Sequence, residues 1–179
     1  MTNIIKKFLV WCYTLRAMLI LREKKFELDH IKSIRQQEKL MLKYPKAINL
    51  CDKAIKIAPN FYMGWNAKGF ILSDKIYDLA SLKADKTNKQ RWKNLTEKNM
   101  WETYDKNQEI YIKYVKKSSF KEASLCYDMA IKLNPSDESS WLHKGNDLEA
   151  VGKFKEALIC FNKVLELSPE YGLAKRQKK

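Results

Sequence analysis

The sequence predicts an all-α protein built from repeated helical hairpins, and three observations carry this prediction. The 179-residue chain has only five Gly and four Pro, whereas β-sandwiches and barrels need a turn signal every ~8–12 residues. Apolar residues make up 45% of the chain and charged residues 31%, so it has enough apolar side chains to bury a core. Similar groups of residues also recur 34 positions apart, which is a period typical of stacked helix pairs.

The first element, residues 1–27, contains an apolar run from Phe8 to Leu21 that Arg16 interrupts. Fourteen residues with an internal Arg fall short of the ~20 apolar residues that a membrane-spanning helix needs. The run therefore predicts a helix that caps the repeats. A membrane-surface segment over residues 4–25 and a cleaved signal peptide are alternatives that the sequence leaves open.

The pattern of the second half of the predicted hairpin occurs three times in the chain. Residues 120–135 begin Phe-Lys-Glu-Ala and end in Pro, and residues 154–169 repeat this pattern at an offset of 34. A third copy covers residues 44–59, where Tyr, Ala, Cys, Ala and Pro keep the same spacings. Because several positions recur in phase, this agreement is not due to chance.

The first half of the hairpin recurs as well. Trp65, Gly69 and Leu72 have the same spacing as their counterparts later in the chain, Trp141, Gly145 and Leu148. Each Trp also follows a Pro at the same distance, Pro59 in the first case and Pro135 in the second. The sequence therefore contains both halves of a two-helix unit.

With these residues the chain resembles the tetratricopeptide repeat family, whose 34-residue unit is a helix–turn–helix. The resemblance implies a solenoid of about four units over residues 28–171, preceded by an extra N-terminal helix. The expected units are 28–61, a degenerate 62–95, 96–137 with an insertion, and 138–171, and a basic tail covers 172–179. The count between Pro59 and Pro135 exceeds two periods by eight residues, which we place within about 83–103.

The physical chemistry of the pattern agrees with the resemblance. Small residues are expected where two helices approach closely, and Gly152 is expected in a turn that favours a left-handed residue. Prolines should end the second helix of each unit. The small residues are Ala47, Ala54, Gly69, Ala123, Ala130, Gly145 and Ala157.

The net charge of +14 favours acidic proteins, nucleic acid or anionic lipid as partners. The excess lies in the first third of the chain, in residues 83–99 and at the tail, and most of the cations are Lys. The central segment gives a candidate basic patch of Lys86, Lys89, Arg91 and Lys93.

Catalytic and metal chemistry are not expected. The four Cys lie in no C-x-x-C pair, and the two His do not have metal-ligand spacing. The one thiol–His arrangement, His143 and Asp147 with Cys160, lacks an oxyanion device. We therefore interpret His143 as a surface histidine and expect no cofactor and no small-molecule substrate.

The function that follows is binding of another protein, without catalysis, in a cytoplasmic scaffold. The first helices of stacked pairs line a concave face. Side chains with amide donors and apolar surface there suit an extended peptide. The candidate residues are Lys32, Gln36, Asn66, Phe70, Gln108, Ile112, Leu142, His143 and Asn146. The alternatives are a membrane-associated adaptor held by residues 4–25 and a helical-repeat protein that binds RNA through its basic surface.

Overall fold

A computed structural model describes residues 3–28, 34–88, 94, 96 and 98–170. At residues 21–28, 35–37 and 40 it describes the backbone only. This part of the chain contains eight helices and no strands, so the predicted all-α class is confirmed. They are α1 (Asn3–Leu28), α2 (Ile34–Met41), α3 (Lys43–Ile57), α4 (Tyr62–Thr87), α5 (Met100–Lys117), α6 (Lys121–Leu133), α7 (Glu138–Ala150) and α8 (Phe154–Leu167).

The helices pair into three units rather than the predicted four. The first unit is α1 with α3, the second is the first half of α4 with α6, and the third is α7 with α8. Successive units are in contact, since α3 packs on α4 and α6 packs on α7. We call the first helix of each unit its A helix and the second its B helix.

The predicted boundaries at 62–95 and 96–137 are wrong because these segments are one interrupted unit. In the third unit only a short turn lies between α7, which carries Trp141, and α8, which begins at Phe154. In the second unit the second half of α4, the segment after it and α5 all lie between Trp65 and Phe120. The insertion is therefore longer than a whole repeat period, whereas the sequence pattern indicated a much shorter one.

The predicted role of α1 as a cap is also wrong, because α1 is the A helix of the first unit. Tyr13, Ala17 and Ile20 have the same spacing as the aromatic, small and aliphatic residues of the other A helices. All three pack in one cluster with Tyr44 of α3. A second insertion, which contains α2, lies between Tyr13 and Tyr44 and hides this match.

Small residues allow the A and B helices to approach closely, as predicted. A Cβ atom at Gly69 would lie 2.6 Å from Cε1 of Tyr127, and one at Gly145 would lie 2.5 Å from Cε1 of Phe161. The five alanines singled out above are at most 2% exposed. The B-helix rings therefore occupy the space that the A-helix glycines leave empty.

The turns follow the predicted chemistry. Helices α3, α6 and α8 each end just before a Pro, at Pro59, Pro135 and Pro169. The indole nitrogen of Trp65 donates to the carbonyl of Pro59 at 2.8 Å, and that of Trp141 donates to the carbonyl of Pro135 at 3.0 Å. Gly152 has a φ of 82°, which suits glycine in a helix–helix turn.

The insertions add a layer of helices to one end of the second unit. Helix α5 packs on the second half of α4, and Ala80, Val115 and Phe120 are buried there. Tyr111 packs against this cluster. Helix α5 begins at Met100, with Asn99 before its first turn.

Candidate functional site

A groove runs along the A helices between α1 and α4. Its wall on α1 is the stripe Trp11, Leu15 and Met18, whose i, i+4, i+7 spacing places the three side chains on one helix face. Trp11 is 47% exposed and Leu15 is 41% exposed. Met63 and Ala67 of α4 form the facing wall. The groove contains a cavity of about 310 Å³.

The size of one side chain explains why the cavity lies between the first two units. In the next pair of A helices Phe70 packs against His143, with ring centroids 4.9 Å apart. The residues at the same repeat positions one unit earlier are Met18 and Ala67. Because alanine replaces the imidazole ring, the groove stays open between α1 and α4 and is closed between α4 and α7.

A hydrogen-bonded group closes one end of the groove. Nδ2 of Asn66 donates to Oδ2 of Asp137 at 2.6 Å and contacts Oγ of Ser140 at 2.7 Å. The same carboxylate caps the N-terminus of α7 by accepting from the backbone nitrogen of Ser140 at 3.1 Å. This arrangement joins α4 to α7 and fixes the position of the side chains at this end of the groove.

Four of the predicted concave-face residues lie on the A-helix side of the units. Asn66 lines the cavity. Phe70, His143 and Asn146 are half-buried on α4 and α7, where the contact between Phe70 and His143 closes the groove. His143 is not the surface histidine that we predicted, since its ring lies near both Phe70 and Tyr127.

Three other predicted residues do not line the groove. Leu142 is only 7% exposed because it packs in the core of the third unit. Gln108 and Ile112 lie on α5, which is an inserted helix and not an A helix. Lys32, and the side chain of Gln36, fall outside the described residues.

Sequence reasoning missed the α1 wall, although its signal was present. The spacing of Tyr13, Ala17 and Ile20 matches that of Trp65, Gly69 and Leu72. A search at a single fixed period could not detect it, because the insertion that contains α2 shifts α1 out of phase with the later units. An unphased search for the spacing alone would have found the helix.

The predicted basic patch is described at one residue only. The ammonium group of Lys86 forms an ion pair with the carboxylate of Glu38 on α2. Lys89, Arg91 and Lys93 lie outside the described residues.

The titratable groups near His143 have shifted pKa values. Burial lowers the pKa of His143 below its ordinary 6.5. Burial raises the pKa of Asp147 from 3.8 to about 7, against the effect of hydrogen bonds from Ser73 and Tyr77. Burial also raises the pKa of the Cys160 thiol. Since the thiolate is the nucleophilic form, Cys160 is a weaker nucleophile than an exposed cysteine.

A second cavity of about 450 Å³ lies between α6 and α7. It is lined by Phe120, Leu125 and Leu148, with Lys116 and Lys121 beside them. Ser124 faces it, whereas the residue at the same position one unit earlier is Ile48. The smaller side chain leaves space at this junction, which lies apart from the A-helix groove.

Within the residues that the structure describes, no group of three or more His, Cys, Asp or Glu could hold a metal ion. No helix in this part of the chain is both long enough and apolar enough to cross a bilayer.

Two family models match the chain. The tetratricopeptide repeat model matches residues 139–171, which comprise nearly all of α7 and α8. This match confirms the predicted resemblance for the third unit. The protein prenyltransferase alpha subunit repeat model matches residues 44–74, which comprise most of α3 and the first half of α4. No curated protein matches the chain at a significant level.

Proposed function

We propose that this protein is a non-catalytic scaffold that binds a segment of another protein in the groove between α1 and α4. The observation that carries the proposal is an apolar wall open to solvent, with Trp11 and Leu15 each more than two-fifths exposed. Trp is enriched among the residues that dominate binding energies, and such residues fill well-packed pockets. The match of the third unit to tetratricopeptide repeats supports a binding function of this kind.

The groove favours a particular kind of segment. Its apolar wall and its cavity of about 310 Å³ suit one or two large apolar side chains. Lys6 and Lys7 on the exposed faces of α1 carry positive charge. A segment with apolar anchors and flanking acidic residues therefore complements this surface best.

Substituting Leu15→Glu tests the proposal, because it places a charge in the wall that the anchor must contact. Partners are captured from native cells with the full-length chain, identified, and titrated as purified proteins. We expect Leu15→Glu to weaken binding at least tenfold, since a buried unpaired charge costs several kcal/mol.

The matched control is Ile159→Glu, which places the same charge on α8 at a residue that is 66% exposed. It should leave the affinity unchanged. A partner that both variants release equally, or that neither releases, would show that the groove is not the binding site.

A membrane surface is the second candidate occupant of α1. Ile4 is 80% exposed and Phe8 is 59% exposed, and Lys6 and Lys7 lie between them. Apolar side chains beside cations are typical of helices that lie in the bilayer interface. Sedimentation with phosphatidylserine vesicles tests this function. We expect Phe8→Glu to abolish any binding, and no sedimentation of the unmodified chain would exclude it.

A further inference from the structure

The junctions between successive units share one pattern of residues. The B helix of the first unit presents Ile48, Asp52 and Ile55 at i, i+4, i+7, and α4 presents Gly64, Lys68 and Ile71 at the same spacing. The ammonium group of Lys68 lies 2.9 Å from the carboxylate of Asp52. Ile71 is fully buried against the first unit.

The second junction repeats this pattern. Helix α6 presents Ser124, Asp128 and Ile131, and α7 presents Ser140, Lys144 and Asp147. The ammonium group of Lys144 lies 2.6 Å from the carboxylate of Asp128. Each junction therefore joins a B-helix stripe to an A-helix stripe through a Lys–Asp pair at the middle position.

The chain carries one further stripe of each kind, and neither is paired with a stripe of the opposite kind among the described residues, although Leu165 also packs on the core of the third unit. On α1 the A-helix stripe is Cys12, Arg16 and Leu19, which we call the N-edge. Leu19 is 44% exposed, although its equivalents Ile71 and Asp147 are both buried. Arg16 has the place of the junction lysines, yet it forms no ion pair with any described residue.

On α8 the B-helix stripe is Leu158, Asn162 and Leu165, which we call the C-edge. Leu158 is 41% exposed, whereas its equivalent Ile48 packs between two clusters of the core. Asn162 has the place of the junction aspartates. Its Oδ1 has no hydrogen-bond partner in the part of the chain that the structure describes.

We propose that copies of this chain associate head to tail, with the N-edge of one copy packed on the C-edge of the next. Leu19 then packs on Leu158 and Leu165, and the guanidinium of Arg16 donates to the amide oxygen of Asn162. This oxygen is buried in the single chain, so the amide rotates to meet its donor. The proposal is independent of the groove.

The charges of the two ends favour this orientation. The N-edge carries Arg16 in a segment that has an excess of Lys and Arg, while residues 138–171 have more acidic than basic residues. Contact between different edges leaves one edge of each kind free, so assembly continues beyond the dimer. The association should weaken as the salt concentration rises.

Sedimentation velocity of the full chain over a range of concentrations tests the proposal. We expect the mean mass to rise above 21.2 kDa with concentration. Leu19→Asp removes the N-edge and Leu158→Asp removes the C-edge, so each variant alone should remain monomeric. An equimolar mixture should form a dimer and nothing larger, because only one intact edge of each kind remains.

Two controls separate edges from general surface effects. Leu15→Asp lies one position from the N-edge and faces the groove, while Ile159→Asp lies beside Leu158 on α8. Both should associate like the unmodified chain. If the unmodified chain is monomeric throughout, or the mixture of edge variants does not dimerise, the proposal is overturned and other occupants cover these edges.

A substitution that strengthens association gives an independent test. Asn162→Asp restores the residue that both internal junctions use at this position, so it should lower the dissociation constant severalfold. Adding Arg16→Glu should cancel the gain. The thiol of Cys12 supplies a second readout, since this half-exposed cysteine lies on the N-edge and should react more slowly with thiol reagents as the concentration rises. An unchanged rate in associated protein would contradict the assigned edge.

Discussion

At the scale of single residues, Gly69 and Gly145 set the distance between the two helices of their units. A Cβ at Gly145 would overlap the ring of Phe161. The first unit solves the same contact differently, with Ala17 opposite Cys51 at the equivalent positions. The larger A-helix residue is accommodated because the B-helix residue is smaller.

Gly145→Ala should therefore destabilise the protein, although alanine favours helix formation by up to about 1 kcal/mol. Forcing a methyl group into a packed core costs roughly 1–3 kcal/mol, so after the gain in helix propensity we expect a net loss of up to about 2 kcal/mol. Urea unfolding followed by circular dichroism measures it.

Gly64→Ala is the matched control for this substitution. A Cβ there would lie 3.1 Å from Cγ1 of Ile55, a side-chain atom that can shift by a few tenths of an ångström. This variant should lose less stability than Gly145→Ala. Equal losses would mean that ring packing does not determine the need for glycine.

Asp147 is the second residue whose environment predicts a measurable effect. It is 4% exposed and accepts hydrogen bonds from Ser73 and Tyr77, the latter at 3.1 Å. Burial raises its pKa from 3.8 to about 7. Between these values the folded chain holds a proton that the unfolded chain has lost, so this group's contribution to stability falls as the pH rises from about 4 to 7.

Asp147→Asn removes this titration and should flatten the pH profile. The difference in unfolding free energy between the two proteins should change by as much as ~1.4 kcal/mol per pH unit in that window. Because His143 is present in both proteins, its opposite pH dependence cancels in the difference. Parallel profiles from pH 4 to 7 would show that Asp147 ionises normally.

At the scale of elements, the side chain of Asp137 joins the A helices of the second and third units at the N-terminus of α7. Asp137 caps α7 and also accepts from Asn66 on α4. Its removal therefore leaves the N-terminus of one helix uncapped and an amide of another without its acceptor.

Asp137→Ala should lower the unfolding free energy by about 1–2 kcal/mol, at the upper end of the range for lost N-caps. Thermal and urea denaturation both report this change. Ser136→Ala, at the exposed neighbouring position, is the control and should behave like the unmodified protein. If the two variants are equally stable, the cap does not contribute.

Helix α1 shows how one element serves two surfaces. Val10 and Ala17 are fully buried, and Ala17 packs in the core of the first unit, while Trp11 and Leu15 line the groove. Its length and composition suggested a packed helix or a membrane segment, and the structure places one face in the core and leaves another open. The packed face makes α1 an integral repeat helix rather than an added cap.

At the scale of the whole molecule, insertions in the first two units distinguish this chain from an uninterrupted array. Each lies between an A helix and its B helix, and the added helices α2 and α5 pack on α4. Helix α4 therefore contacts α1, α2, α3, α5, α6 and α7. In the described part of the chain, α4 is thus the helix that packs on most of the others.

The sequence pattern by itself determined three features: the helical class, the ends of the B helices at prolines, and the close contacts at Gly69 and Gly145. These features follow from local spacing, which a sequence displays directly. Which helices pair was decided only by tertiary structure, because a helix finds its partner by complementary shape across any length of intervening chain. For this reason Tyr127 packs on Gly69 although the whole of α5 lies between them in the chain, and the open groove lies beside Ala67 rather than at Leu142.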